Sequence, residues 1–514
     1  MTPWYRAIVI GIIALSMTAG TFFSGLDTVQ GPLFALTPAH DTGADPASAG
    51  VRASNDENAI EESTKPRFKF GGTVKNLYQF HRTDNYLGSD PLSRGSKNLS
   101  ADMTRLRLSP EFTYREALTA RVDLDNELIA SNYGRSRDFT SAWRQSQYND
   151  LLTLAWEPYR GKDLYCRIKA HRATVKAAAG WFALTLGRQQ IRFGSGKLWN
   201  PLDILNPVSP TFVEGGDEQK GTDAVKLDFY PNDKTEITAV ADLKKSGNEI
   251  EHFNLRDCNY LARVKTSAGE ADIAVMGGYV SRRGIVGFDV AAILFDGMVR
   301  ASAAASIHDR RKVFFQANGG YEYTFKNGLF FLVEYFYNQR GLNYDRDLKA
   351  ASIAYGMGAL DRMSARDRIR QATTLGDGYS TAALAYDEMR RRRGQPMEGY
   401  GAKSIKASIR SYSYLNRGQR TYLELANEPL TVNQHYAAVA LGYDFHPLVR
   451  GELFVIGDIQ GRGIFFGPTL KINAYENLDF TVGMMGAVIF NNRASDFSEF
   501  RKHYLYYASG TYVF

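Results

Sequence analysis

Cysteine is almost missing from this chain: Cys166 and Cys258 are the only two in 514 residues. Two thiols so far apart could form one disulfide but make neither a disulfide framework nor a metal cluster, and both read as packing residues. Long apolar runs are missing as well. Beyond Phe23 nothing approaches the roughly 20 apolar residues that a membrane-crossing helix needs, which excludes a helical membrane protein. Catalytic signatures are absent: there is no Gly-x-Ser-x-Gly elbow, no Walker A loop and no His-Glu-x-x-His. The histidines, His171, His252, His308 and His435 among them, lack ligand spacing. The sequence therefore calls for no enzyme, no cofactor and no metal. A net charge of +7 is by itself no support for nucleic-acid binding.

What is abundant is aromatic. The chain has 30 Tyr, 30 Phe and 47 Gly, yet its mean hydropathy is only −0.32. Strands that alternate lipid-facing and water-facing residues produce that mixture. The last residues, Tyr504 to Phe514, show the alternation at its sharpest. Phe514, Tyr512, Gly510, Ala508, Tyr506 and Tyr504 fall on one face at period two. A terminal strand rich in aromatics is the expected closing strand of an outer-membrane β-barrel, with Tyr512 and Phe514 presented to the barrel-assembly machinery. The closing strand of a soluble barrel or sandwich is the competing reading.

The other strands follow the same rule. Strand 101–114 sets Leu106, Leu108, Phe112 and Tyr114 against Arg105, Arg107 and Glu111. Strand 117–129 sets Leu118, Ala120, Val122 and Leu124 against Arg121, Asp123, Asp125 and Glu127. Further strands are expected near 67–80 and 180–191, in a series of hairpins over 222–339, and over 435–514. Pro231-Asn232-Asp233, Ser267-Ala268-Gly269, Asp296-Gly297 and Lys326-Asn327-Gly328 are tight hairpin turns. Counting the broken segment within 148–173 as one strand gives about 18, an even number that puts both termini in the periplasm. A hairpin in that segment would upset the parity.

The expected organisation has three parts. Arg6 followed by the apolar run Ala7–Ala19 reads as a secretory signal over 1–35, with a retained anchor as the alternative. Residues 36–66, polar and rich in Ala, Ser and Asp, read as a disordered leader. Residues 67–514 form the barrel, an all-β transmembrane antiparallel architecture with two interruptions. The first, 192–221, contains Trp199, Asn200, Asp203 and Asn206. Its Trp, Leu and Ile need shelter from water, so a constriction loop folded into the lumen is expected, against an ordinary surface loop. The second, 340–434, has helical spacing within 345–393 and reads as an extracellular insert acting as plug, lid or cap. Its Arg390-Arg391-Arg392-Arg393 run is a solvated face or a contact for lipopolysaccharide.

Lumen-facing charge is the one chemical constellation in the sequence. Arg105, Arg107, Arg121, Arg167, Lys169, Arg188, Arg263 and Lys265 fall on polar phases of strands, and Arg192 and Lys197 open the first interruption. Such groups bias a pore toward anions, because the guanidinium fork matches carboxylate and phosphate. The competing reading pairs them with Asp123, Asp125, Asp228, Glu236 and Glu334 as braces of the wall.

Leu184 to Gly194, with Gly187-Arg188-Gln189, followed by Asn200-Pro201-Leu202-Asp203-Ile204-Leu205-Asn206-Pro207, resembles a recurring element of bacterial outer-membrane channels. Gly221 to Pro231 and Gly328 to Asn338 are similar to strands of the same families. The group most like it is the alginate-export-like porins. The resemblance implies a barrel of about 18 strands, with Arg188 and Arg192 luminal and 194–221 constricting. It also implies passive passage of an anionic solute or polysaccharide, with membrane lipid and lipopolysaccharide as surroundings. A non-conducting barrel that scaffolds a surface or electron-transfer complex, with a periplasmic partner, is the alternative.

Overall fold

A computed structural model describes residues 66–87, 94–115, 117–134, 151–206, 221–246, 252–253, 255, 258–280, 283–307, 313–339, 431, 433–490, 497, 500 and 504–514. The expected signal, nearly all of the leader and nearly all of the 340–434 insert lie outside them.

The strands are β1 (Arg67–Leu87), β2 (Arg94–Tyr114), β3 (Leu118–Ser131), β4 (Ala155–Arg160), β5 (Leu164–Ala179), β6 (Phe182–Gln189), β7 (Thr222–Asn232) and β8 (Thr235–Asp242). A two-residue pair, β9 (Lys245–Ser246) and β10 (His252–Phe253), forms a separate small sheet. The wall continues with β11 (Asn259–Ala268), β12 (Ala271–Val280), β13 (Arg283–Leu294), β14 (Gly297–Ile307), β15 (Val313–Thr324) and β16 (Phe330–Asn338). It ends with β17 (His435–His446), β18 (Val449–Asp458), β19 (Gly463–Tyr475), β20 (Leu478–Ile489) and β21 (Leu505–Val513).

Neighbours pair antiparallel all the way round, and β21 returns to β1 from Thr73↔Val513 to His81↔Leu505. The result is a closed barrel of 18 strands with β4 as one extra. Closure is tight at the seam. Gly72 and Phe514 exchange backbone hydrogen bonds of 2.9 and 3.0 Å. A Cβ on Gly72 would strike the Phe514 ring, so only glycine lets the ring settle there.

The segment within 148–173 is a hairpin, and the even count survives it for a geometric reason. β4 pairs with β5 from Ala155↔Lys169 to Arg160↔Tyr165. β6 pairs with the same edge of β5 from Ala173↔Arg188 to Ala179↔Phe182. β4 thus stands in line with β6 and extends the wall lengthwise without widening it.

Two- to five-residue turns join the strand pairs at one rim, where β1 starts and β21 ends. The opposite rim carries every connection longer than five residues, together with short ones such as Val280 to Arg283 and Asp458 to Gly463. One expected turn is displaced by a residue: Phe295 (φ 52°) and Asp296 (φ 60°) take the paired left-handed positions of a hairpin turn, and Gly297 opens β14.

Exposure alternates as a bilayer-facing wall requires. Phe68, Phe70, Phe112, Leu184, Leu186, Leu227, Val275, Phe288, Val333, Phe480, Val482, Tyr504, Tyr506, Tyr512 and Phe514 are exposed large apolar residues. The alternate positions are enclosed, and many are charged: Arg105, Asp125, Glu127, Asp289 and Glu334 are all buried. Polar inside and apolar outside is the reverse of a soluble protein.

Candidate functional site: a charged lumen crossed by an inward loop

Three adjacent strands build a ladder of charge on the luminal face. Register brings Arg105 of β2 opposite Glu127 of β3, and Glu127 opposite Arg167 of β5. One step along, Arg107 faces Asp125, which faces Lys169. The side chains close these contacts. Arg105 Nε donates to Glu127 at 2.9 Å, and Arg107 donates to both oxygens of Asp125 at 2.6 and 3.0 Å. Arg167 Nε donates to Glu127 at 2.7 Å, and Lys169 Nζ lies 2.8 Å from Glu127 and 3.7 Å from Asp125. The carboxylates stand between two basic rows, and four cations, Arg105, Arg107, Arg167 and Lys169, share the two acids Asp125 and Glu127. His171 joins the same group, 3.8 Å from Asp125. A bulge makes room for it: Leu124 pairs with Ala170 and Asp123 with Arg172, so the luminal row shifts phase at His171.

The remaining expected cations stand apart from the ladder's centre. Arg121, lower on β3, is half-exposed and lies 3.1 Å from Asp123 and 3.7 Å from Glu111. Arg188 is buried in a bidentate pair with Asp223 at 2.8 and 2.9 Å, and also donates to the carbonyl of Leu152 at 2.7 Å. It braces the joint of β4, β6 and β7. Arg263 is 4.0 Å from Glu236 and stands over the Phe193 ring at 5.4 Å. Lys265 pairs with Asp272 at 2.9 Å.

The described part of the first interruption, 192–206, folds into the barrel. Ile191, Phe193, Leu202, Ile204 and Leu205 pack against Ala224, Val240, Leu261, Met276, Val280, Ile285 and Ala304 of β7 to β14. Trp199 reaches a second cluster on β16 to β21. It stacks on Phe336, with centroids 5.6 Å apart and planes 9° apart, and meets Tyr436 at 5.8 Å. The loop touches two separate sectors of the wall, which is how the lumen shelters its apolar residues. Internal braces hold its shape. Asn200 Nδ2 donates to the Phe193 carbonyl at 2.7 Å, and its Oδ1 accepts from Leu202 N. Asn206 Oδ1 accepts from Ile191 N at 2.8 Å. Gly194, at φ 86°, sits under the Asn200 side chain in a conformation that favours glycine.

Two cations on the loop remain partly open to the lumen. Arg192 Nε is 3.1 Å from Asp203, and Lys197 Nζ is 4.0 Å from Glu322 of β15. Burial pushes the Asp203 carboxyl up to about 7, even with Arg192 beside it.

His171 and Asp289 were beyond sequence reading, and so was the partner of Glu334. His171 in the ladder needs a bulge that alternation does not reveal. Asp289 and Glu334 serve the loop, as described below. Asp289 shows only as the polar member of an otherwise apolar luminal row, after Ile285 and Gly287. Tyr512 and Phe514, on the outer face, stack at 6.4 Å. Cys166 and Cys258 are both buried and are not joined in a disulfide.

No protein-family model matches this chain, and no curated protein matches it in sequence. Among solved structures it is similar to OccAB2 of Acinetobacter baumannii, with 10% identity, a TM-score of 0.46, and coverage of 87% of this chain and 98% of that one. It is similar to OccK8 (OprE) of Pseudomonas aeruginosa at 10% identity and a TM-score of 0.45, with the same coverages. OccK2 (OpdF) of Pseudomonas aeruginosa, solved in complex with glucuronate, matches at 8% identity and a TM-score of 0.43, over 87% of this chain and 96% of that one. The barrel's own register and burial, rather than this likeness, define its architecture.

Proposed function

We propose that this protein is an outer-membrane channel through which small anionic solutes diffuse down their gradient. The observation that carries the reading is the ladder: four cations around two carboxylates on the inner wall of a closed 18-strand barrel. A barrel of this strand number is wide enough for an aqueous path, and low-dielectric walls focus the field of luminal charge onto a passing ion. The inward loop narrows that path, with Arg192 and Lys197 adding positive charge. Lipid contacts the apolar exterior, with lipopolysaccharide at the outer leaflet, and assembly proceeds through the barrel-assembly machinery, with Tyr512 and Phe514 as its signal. The apolar run after Arg6 directs export. The finer reading, an anionic polysaccharide as solute, is supported by the alginate-export-like resemblance of 184–194 and 200–207.

The test is the reversal potential of the purified protein in a planar bilayer under a salt gradient. A steady, anion-selective conductance is expected. Cation selectivity would overturn the assignment. Absence of conductance would replace the channel by the scaffold alternative, in which a periplasmic or surface partner should co-purify in fixed ratio.

A further inference from the structure

Three consecutive backbone N–H groups of the inward loop converge on a single side chain of the wall. Lys197 N donates to Glu334 Oε2 at 3.0 Å, Trp199 N to Oε1 at 2.7 Å, and Leu198 N lies 3.3 Å from both oxygens. Successive N–H groups aimed at one point form a nest, a concavity that binds an anion. In this barrel the nest is filled by the protein's own carboxylate, and Glu334 is 1% exposed. Two residues along the same face of β16, Phe336 stacks on Trp199, so one strand holds both the backbone and the ring of the loop's tip. A second carboxylate does similar work nearby. Asp289 Oδ1 accepts from Ser195 N at 2.9 Å, from Ser195 Oγ at 2.8 Å and from Ser302 Oγ at 2.6 Å.

This arrangement bears on selectivity. A luminal carboxylate ordinarily repels the anions that the ladder attracts. Here the two carboxylates on β13 and β16 are turned into the loop, with their lone pairs on its donors. Their oxygens are solvated by these donors instead of facing the open path, and the loop is anchored by charge-assisted bonds, which are the stronger kind.

We propose that Glu334 is the positioning residue of the constriction: its carboxylate fills the nest at 197–199 and seats the loop on β16, so that solutes pass beside a fixed loop instead of displacing it. The electrical part of the test rests on the channel reading. Amide exchange does not, and the two are measured together.

Glu334→Ala empties the nest while leaving the barrel's strand pairs intact. Hydrogen exchange at the amides of 197–199 should then quicken by roughly tenfold or more, as the loss of bonds to a charged acceptor implies. The single-channel conductance should grow and fluctuate between levels. Formate, a carboxylate small enough for the vacated space, should restore both the slow exchange and the steady level. Benzenesulfonate, too large for it, should restore neither. Should Glu334→Ala not assemble, Glu334→Gln keeps the volume and one acceptor oxygen, and an intermediate exchange rate is expected. Exchange at 197–199 that stays at the wild-type rate overturns the proposal. So does exchange that quickens but ignores formate, since general loosening would do the same. Exchange that behaves as stated in a protein that does not conduct supports the seat and sinks the channel.

Discussion

Asp203 is the residue whose state most directly touches the lumen's charge. Its carboxyl is enclosed in the loop's apolar cluster. One oxygen lies 3.1 Å from Arg192 Nε and the other has no hydrogen-bond partner. Burial raises its pKa from the ordinary 3.8 to about 7. The sign follows from proton linkage: an acid raised in the folded state holds a proton that the unfolded chain releases. Its stabilising contribution is full below about pH 4 and is lost as pH rises through about 7. The same proton removes the counter-charge of Arg192, which is partly open to the lumen. Anion selectivity should therefore increase on going from pH 8 to pH 6, with a midpoint near 7. Asp203→Asn should flatten that transition and hold the acid-side value throughout. A variant that titrates as the wild type does would assign the transition to another group.

At the scale of elements, the β2–β3–β5 ladder sets charge and stability against each other. Glu127 is wholly buried and touches Arg105, Arg167 and Lys169. Glu127→Gln leaves three enclosed cations short of a counter-charge. Removing one partner of a buried pair costs on the order of 3–5 kcal/mol. The variant should unfold at lower urea in detergent micelles and, where it folds, be more anion-selective than the parent. Equal stability would mean that water relieves the ladder. This row was legible in the sequence, because Arg105 and Arg107, like Asp125 and Glu127, recur at period two on the face opposite Leu106, Leu108 and Leu124. The inward direction of the loop was legible as well, from Trp199, Leu202 and Ile204 needing shelter. The partner of Glu334 was not. It is a run of backbone N–H groups some 135 residues away in sequence, and main-chain donors leave no compositional trace. Nor was the placement of β4, since a hairpin that extends the wall and one that widens it have the same alternation.

At the scale of the whole molecule, the reversal of the usual burial pattern decides which solvent the barrel is built for. Val275 and Phe288 are register partners on β12 and β13, each near the middle of its strand. They are 51% and 46% exposed, and in water two such neighbours on a broad apolar belt would invite aggregation. Against lipid they are at home. The alternation that puts them outside also puts Asp289 inside, next in sequence to Phe288, so one strand meets an apolar and a polar surround at once. Only a closed barrel leaves no unpaired edge while doing this. Phe288→Arg should cost about 2–4 kcal/mol of folding stability in lipid vesicles, the range for a cation on the lipid face near the midplane. Phe288→Leu, which keeps that position apolar, should cost far less. The measurement is urea titration of folding into vesicles for the three proteins side by side. Equal stability of Phe288→Arg and the parent would mean that this face does not meet hydrocarbon, and the proposed channel would lose its membrane.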